Sequence, residues 1–332
     1  MIGSLAIDAL AERLRTSRGL AAKADIANVA ASLGLSGDEM VAVGDDCAAI
    51  PDGDGYTLFA IEGFMNEFVA GDPWFAGWCG AMVNISDVAA MGGRPVALVD
   101  AIWSDGEANA GALLDGLKAA SRAFGVPVVG GHTNVRSCQQ QFAVAILGRA
   151  RVLLTSFDAR PGDKLIAAID LRGRYREPFF NWEAATDVPP ARLRGDLEIL
   201  PAIAERGLAK AAKDISQGGI IGTAAMFAEC SRVSFSIDLD AIPKPESVLL
   251  ERWLETFPSF GYLAAVRPDR VEETLAAFRS RDIAAAAIGD ISEGSVVEIR
   301  DGMQREIIWD FARAPLIGCA PAGHEPQRTA SA

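Results

Sequence analysis

Several acidic residues of this chain stand where acids are costly. In the run Gly77-Trp78-Cys79-Gly80-Ala81-Met82-Val83-Asn84-Ile85-Ser86-Asp87-Val88-Ala89-Ala90-Met91-Gly92-Gly93, Asn84 and Asp87 are three residues apart among apolar neighbours. On a helix that spacing puts both on one face, and Val83, Ile85, Val88 and Met91 predict that the helix is buried. A buried carboxylate is expensive unless it is paired or bound to a cation. The spacing leaves two readings evenly open, a cation site and hydrogen bonding to a neighbouring loop. Gly44-Asp45-Asp46, between apolar residues, offers adjacent oxygen ligands of the kind Mg²⁺ takes, yet a solvated Gly-Asp turn explains the segment better when it is taken alone. Glu62 and Glu67 follow the next predicted strand, and either bring more carboxylate to the same place or sit on the surface.

Two glycine pairs add phosphate chemistry. Val128-Val129-Gly130-Gly131-His132-Thr133-Asn134 reads as a strand ending in paired glycines, where backbone N–H groups can approach a phosphate closely. His132 is one of 2 histidines, and a lone histidine is more often structural than catalytic. In Lys213-Asp214-Ile215-Ser216-Gln217-Gly218-Gly219 a polar turn opens a helix, and helix N-termini favour anions; the plainer alternative is a helix start capped by Ser216. The P-loop, Rossmann, nucleophile-elbow and zinc-protease motifs do not occur.

These residues need a scaffold, and length and composition describe one. A chain of 332 residues exceeds one ordinary core, so two domains are expected. Acids outnumber bases 44 to 31; that balance disfavours nucleic acid and anionic membrane as partners, and leaves room for ATP if Mg²⁺ neutralises its phosphates. The 5 scattered cysteines and the absence of a long apolar run predict a cytoplasmic location without disulfides. Periodicity predicts helices over 7–33 (interrupted at 16–19), 74–91, 109–124, 196–206, 220–230 and 268–280. It predicts strands over 56–61, 96–103, 126–129, 141–147, 164–169, 233–237, 262–266 and 296–299. Strands and helices mix in each half, which makes the class α/β or α+β. The turn-rich segment from Ser156 places a boundary between domains 1–155 and 156–314, and the Pro- and Gly-rich residues 315–332 read as a disordered tail.

Taken in order, Gly-Asp-Asp, Asn-x-x-Asp-x-x-Ala-Met-Gly, Gly-Gly-x-Thr and Asp-x-x-x-Gly-Gly resemble the aminoimidazole ribonucleotide synthetase-like superfamily. Thiamine-monophosphate kinase, selenophosphate synthetase and a hydrogenase-maturation carbamoyl dehydratase are among its members. The resemblance implies an N-terminal domain that binds ATP and Mg²⁺ and whose sheet forms a barrel across a homodimer, with a C-terminal α/β domain beside it and ATP in the cleft. It implies Mg²⁺ ligands at Asp45, Asp46 and Asp87, with Glu62 as a further acid. Asn84, Gly130, Gly131, Thr133, Asp214, Gly218 and Gly219 would lie around the nucleotide. Asp87, His132 and Lys23 would act in catalysis, although for Lys23 a solvated helix lysine is the commoner reading. The activity implied is ATP-dependent phosphoryl transfer to, or activation of, a small metabolite. Gln217 and His132 stand where the kinases carry acids, which keeps a catalytically silent nucleotide-binding subunit as the alternative.

Overall fold

The structure, a computed structural model, describes residues 6–35 and 41–319. Helices α1 (Ile7–Arg15) and α2 (Arg18–Leu33) come first, and Ser17 caps α2 by accepting the Leu20 N–H. A five-stranded sheet follows, from β1 (Ala48–Asp52), β2 (Gly55–Gly63), β3 (Arg94–Trp103), β4 (Val128–Asn134) and β5 (Gln141–Ala150), in the order β1-β2-β5-β3-β4. Only the β3–β4 pair is parallel. Helices α3 (Asn66–Gly71), α4 (Pro73–Ala90) and α5 (Glu107–Phe124) belong to this half.

The second half begins with β6 (Lys164–Ile169), the short pair β7 (Arg174–Tyr175) and β8 (Trp182–Glu183), then α6 (Pro190–Leu197) and α7 (Ile199–Glu205). It continues with β9 (Ala211–Asp214), α8 (Gly219–Ser231), β10 (Ser234–Asp238), α9 (Leu250–Leu254), β11 (Gly261–Val266) and α10 (Val271–Arg279). Strands β12 (Ala284–Ser292), β13 (Val296–Asp301) and β14 (Gln304–Asp310) complete a seven-stranded sheet, ordered β14-β13-β10-β12-β6-β11-β9. Strand β6, between β12 and β11, is covered on both sides. Leu165, Ala167 and Ile169 share a core with α8, and Ile166 and Ala168 share another with α7 and α10.

The helix that carries Asp87 is apolar all round because it is enclosed all round. Every residue of α4 from Phe75 to Ala90 is buried. Gly80 lies against Phe142 and Val144 of β5, and Ser86 Oγ donates to the Tyr262 hydroxyl of the second half at 3.1 Å. Against α5 the contact is backbone to backbone: a Cβ on Gly77 would overlap the Leu113 carbonyl, and one on Gly116 the Trp74 carbonyl.

Four expectations are corrected. The Gly130–Asn134 stretch is part of strand β4 and not a loop after it. The single helix expected over 196–206 is two, broken at Glu198. The Ala-rich β12 and the strand β14 escaped the periodicity. The tail is structured at its start, with Leu316, Ile317 and Cys319 buried; residues 320–332 lie outside the described ones. Among the described residues no helix is long and apolar enough to cross a membrane.

The glycine contact makes a prediction. Gly77→Ala or Gly116→Ala should cost about 3 kcal/mol, because a methyl has no room to go. Gly111→Ala, where nothing lies within 4 Å, should be neutral or stabilising by up to ~1 kcal/mol. Urea midpoints of the three variants test this; equal midpoints would show that the helices can simply move apart.

Candidate metal centre and its cavity

Three acids from three separate elements converge. Asp46 comes from the loop before β1, Asp87 from α4 and Asp214 from the end of β9, and one oxygen of each lies within 4.8 Å of the others. Asp46 is held on both oxygens: Lys213 Nζ donates to Oδ1 at 2.6 Å and the Asp214 N–H to Oδ2 at 3.0 Å. Ser259 Oγ donates to Asp214 Oδ2 at 3.0 Å. Asp87 Oδ2 and Asp214 Oδ1 are buried and have no hydrogen-bond partner among the described residues. Each unsatisfied buried oxygen costs about 1–3 kcal/mol, more when charged. A divalent cation would recover that cost, so the donor set fits a hard metal ion with oxygen ligands.

The electrostatics agree. Burial, reinforced by Asp46, pushes the Asp214 carboxyl up to about 7. Burial, with Asp214, Glu62 and Asp46 adding repulsion, holds Asp87 well above the usual carboxylate range. Burial works against the Lys213 ammonium, but Asp46 and Asp45 outweigh it and raise its pKa.

Lys23, Glu62, Asp45, Asp46, Asp87 and Asp214 all line one cavity of about 340 Å³, walled elsewhere by apolar residues such as Phe64, Met65 and Phe257. Lys23 reaches it from α2, which is locked in place where Gly19 meets Gly218: a Cβ on Gly19 would lie 2.7 Å from the Gly218 Cα. Burial lowers the Lys23 pKa, against the pull of Glu62, and burial raises that of Glu62. Glu67 is at the surface, paired with Arg18 at 2.5 Å.

Other expected residues are used differently. Asp45 spends its oxygens on Ser156, accepting its N–H at 2.9 Å and its Oγ–H at 2.6 Å, and stands outside the triad. Asp214, expected beside the nucleotide, joins the acids instead. Asn84 is buried and donates to Gly80 O of its own helix at 2.9 Å. Gly218 and Gly219, at φ 110° and 64°, form the start of α8 and pack against Gly19 and Leu254. Ser216 is no cap, since its N–H donates to Thr223 Oγ1 and Gly218 holds the N-cap position.

Among the described residues, Gly130, Gly131, His132 and Thr133 do not line the cavity. Glu62, Val144, Asp100 and Gly131 are side by side in the register of the first sheet, and successive strand residues alternate faces. Gly130 and His132 therefore belong to the face opposite Glu62. A Cβ on Gly131 would lie 2.7 Å from Asp100 Oδ1, which gives this glycine a packing reason. Sequence reasoning missed Lys213, Ser156 and Ser259. A signal existed for Lys213, a lysine beside an acid at the end of the apolar run Ala211-Ala212.

A family model described as AIR synthase related protein, N-terminal domain, matches residues 44–150, and its C-terminal counterpart matches residues 178–302. An uncharacterized protein of Synechocystis sp. is 46% identical over 286 residues, covering 86% of this chain and 89% of its own. Thermotoga maritima PurL complexed with ATP superposes with a TM-score of 0.73 at 19% identity, over 95% of this chain and 55% of that one. This chain thus spans about half of PurL. AaThiL complexed with AMPPCP and TMP superposes with a TM-score of 0.63 at 19% identity, over 85% and 94%. At such identities the likeness is one of fold.

The raised carboxyls predict a pH dependence. A carboxyl whose folded pKa exceeds its unfolded value binds more protons when folded, so metal-free stability falls as pH climbs from about 4 through about 7. In chelator, Asp214→Asn should be more stable than wild type above pH 7, by at most about 4 kcal/mol, with the difference vanishing near pH 4. Denaturant titrations across that range decide it; a variant less stable at every pH would mean that Asp214 is well compensated without metal.

Proposed function

The chain belongs to the AIR synthase related proteins, and from that membership and the buried triad we propose ATP- and Mg²⁺-dependent phosphoryl transfer to, or phosphate activation of, a small metabolite. The observation that carries this reading is the convergence of Asp46, Asp87 and Asp214 with two buried oxygens that have no hydrogen-bond partner among the described residues. The ATP and AMPPCP complexes of the fold neighbours PurL and ThiL support the nucleotide.

Asp46, Asp87 and Asp214 would hold Mg²⁺, which neutralises charge developing on the transferred phosphoryl group. Lys213 holds Asp46 in place through its 2.6 Å ion pair. Lys23 would set an ammonium against the phosphates, in a cavity where low dielectric strengthens the contact. Ser216 and Gln217 bring the α8 N-terminus to the same cavity, an orientation favourable to anions. Gln217 also motivates the second reading, a nucleotide-binding subunit without chemistry, because an amide lines the cavity where the kinases carry an acid. Sustained ATP turnover by the purified protein with one metabolite would remove that reading.

A homodimer belongs to the proposal. On the first sheet, Phe59, Leu147 and Ala97 form one cross-strand row and Ile61, Ala145 and Val99 the next, on the face that also carries His132. Phe59 is 51% exposed and Ile61 65%. An apolar sheet face left in water supports pairing with a second copy, in the manner of the barrel the family resemblance implies. The double variant Phe59→Asp, Ile61→Lys should sediment as a monomer of 35.0 kDa while wild type sediments at twice that mass. A monomeric wild type sinks the dimer.

For the site itself, calorimetry should show ATP binding that needs Mg²⁺ and weakens at least about tenfold in Asp87→Asn, or roughly 1.4 kcal/mol. Equal binding in chelator, or in the variant, would overturn the metal's role.

A further inference from the structure

A second buried acid, outside the triad, holds one wall of the cavity. Glu229 lies in the last turn of α8 and is buried, where the helix dipole and desolvation both disfavour a carboxylate. It is gripped from outside the helix. Leu316 N–H and Gly318 N–H donate to Oε1 at 2.9 and 3.3 Å, and Ile317 N–H donates to Oε2 at 2.7 Å. Three successive N–H groups closing on an anion, with Gly318 at φ 65°, form a nest whose ligand is the protein's own side chain.

The segment so held touches several parts of the site. Ile317 and Cys319 line the cavity. Cys319 packs on Gly44, where an added Cβ would lie 2.8 Å from the Cys319 Cβ, and Gly44 leads directly into Asp45 and Asp46. Cys230, next to Glu229, donates its thiol to Gly44 O at 3.4 Å. Gly318 faces Ala27 of α2, one helical turn beyond Lys23. One clasp therefore abuts the helix that carries Lys23, the loop that carries Asp46, and α8.

We infer that Glu229 is a positioning residue of this cavity, holding residues 315–319 as a clasp that closes one wall and fixes the Gly44–Asp46 loop against α2. This rests on the reading of the cavity as a metal and ligand site. In Glu229→Gln an amide N–H₂ replaces an acceptor oxygen in a nest of donors, so the clasp detaches while the helix keeps its shape. Gly318→Pro loosens it from the other side, deleting one N–H and forbidding the positive φ, with Glu229 left intact.

The cysteines report the outcome in the full-length protein. Cys138 is exposed, whereas Cys47, Cys79 and Cys319 are buried. With N-ethylmaleimide and peptide mass spectrometry, wild type should label at Cys138 only. Both variants should label Cys319 at least about tenfold faster than wild type, with Cys47 still protected, and the Mn²⁺ affinity measured on the same samples should fall by a similar factor. Cys319 still shielded in a variant that protects Cys47 overturns the clasp. Labelling of all buried cysteines in both variants makes Glu229 a general stabiliser and overturns the positioning role, as does a freed Cys319 with unchanged Mn²⁺ affinity. If wild type binds neither Mn²⁺ nor Mg²⁺·ATP, the functional reading fails, while the labelling still decides whether the clasp exists.

Discussion

Bringing Asp46, Asp87 and Asp214 within 4.8 Å of one another in a buried place is the constraint to which much of the architecture answers. Like charges in low dielectric repel strongly, and isolated buried ions are worth several kcal/mol of penalty each. The chain meets this with one fully engaged cation, Lys213, one hydroxyl donor, Ser259, and one backbone N–H. What these leave unmet is directional and faces the cavity. A scaffold that tolerates such a cluster has to be rigid around it, and the glycine contacts between α4 and α5 provide that by letting two backbones touch.

The acids also join the two halves of the molecule. Asp45 bonds Ser156 at the passage from the first sheet to the second, Asp46 bonds the end of β9, and Ser231 Oγ–H closes the circuit onto Ser156 O at 2.6 Å. Adjacent carboxylates thus divide the labour: Asp45 fixes the junction, and Asp46 stands in the site. Any shift of one half against the other is felt at the triad, because its members are contributed from both sides.

Much of this was legible in the sequence, for identifiable reasons. Asp87 stood out because its neighbours made burial certain on helical geometry, and the fold followed from ordered motifs combined with alternating elements. The role of Asp45 was not legible, since neighbouring aspartates look alike until their partners are known. The face on which His132 stands was not legible, because a two-residue period turns each successive side chain to the other face once a loop becomes a strand. Proline and glycine content concealed Leu316-Ile317, a short apolar pair whose burial depends on a glutamate 87 residues away. Strand β12 begins with four alanines, and its position between β10 and β6, not its propensity, makes it a strand.

The bond from the Asp214 N–H to Asp46 spans 168 residues of chain, and that separation has a meaning for biosynthesis. During synthesis the first sheet, α4 and two of the three acids emerge well before β9 does, and domains generally fold as units in that order. The nascent N-terminal half therefore carries Asp46 and Asp87 before either Asp214 or Lys213 exists to complete or neutralise the cluster. A cation held as proposed would meet, in the nascent first half, a site still missing its third ligand. On the proposed reading the site would stay weak for cations until Asp214 is made, so folding of the first half would precede loading.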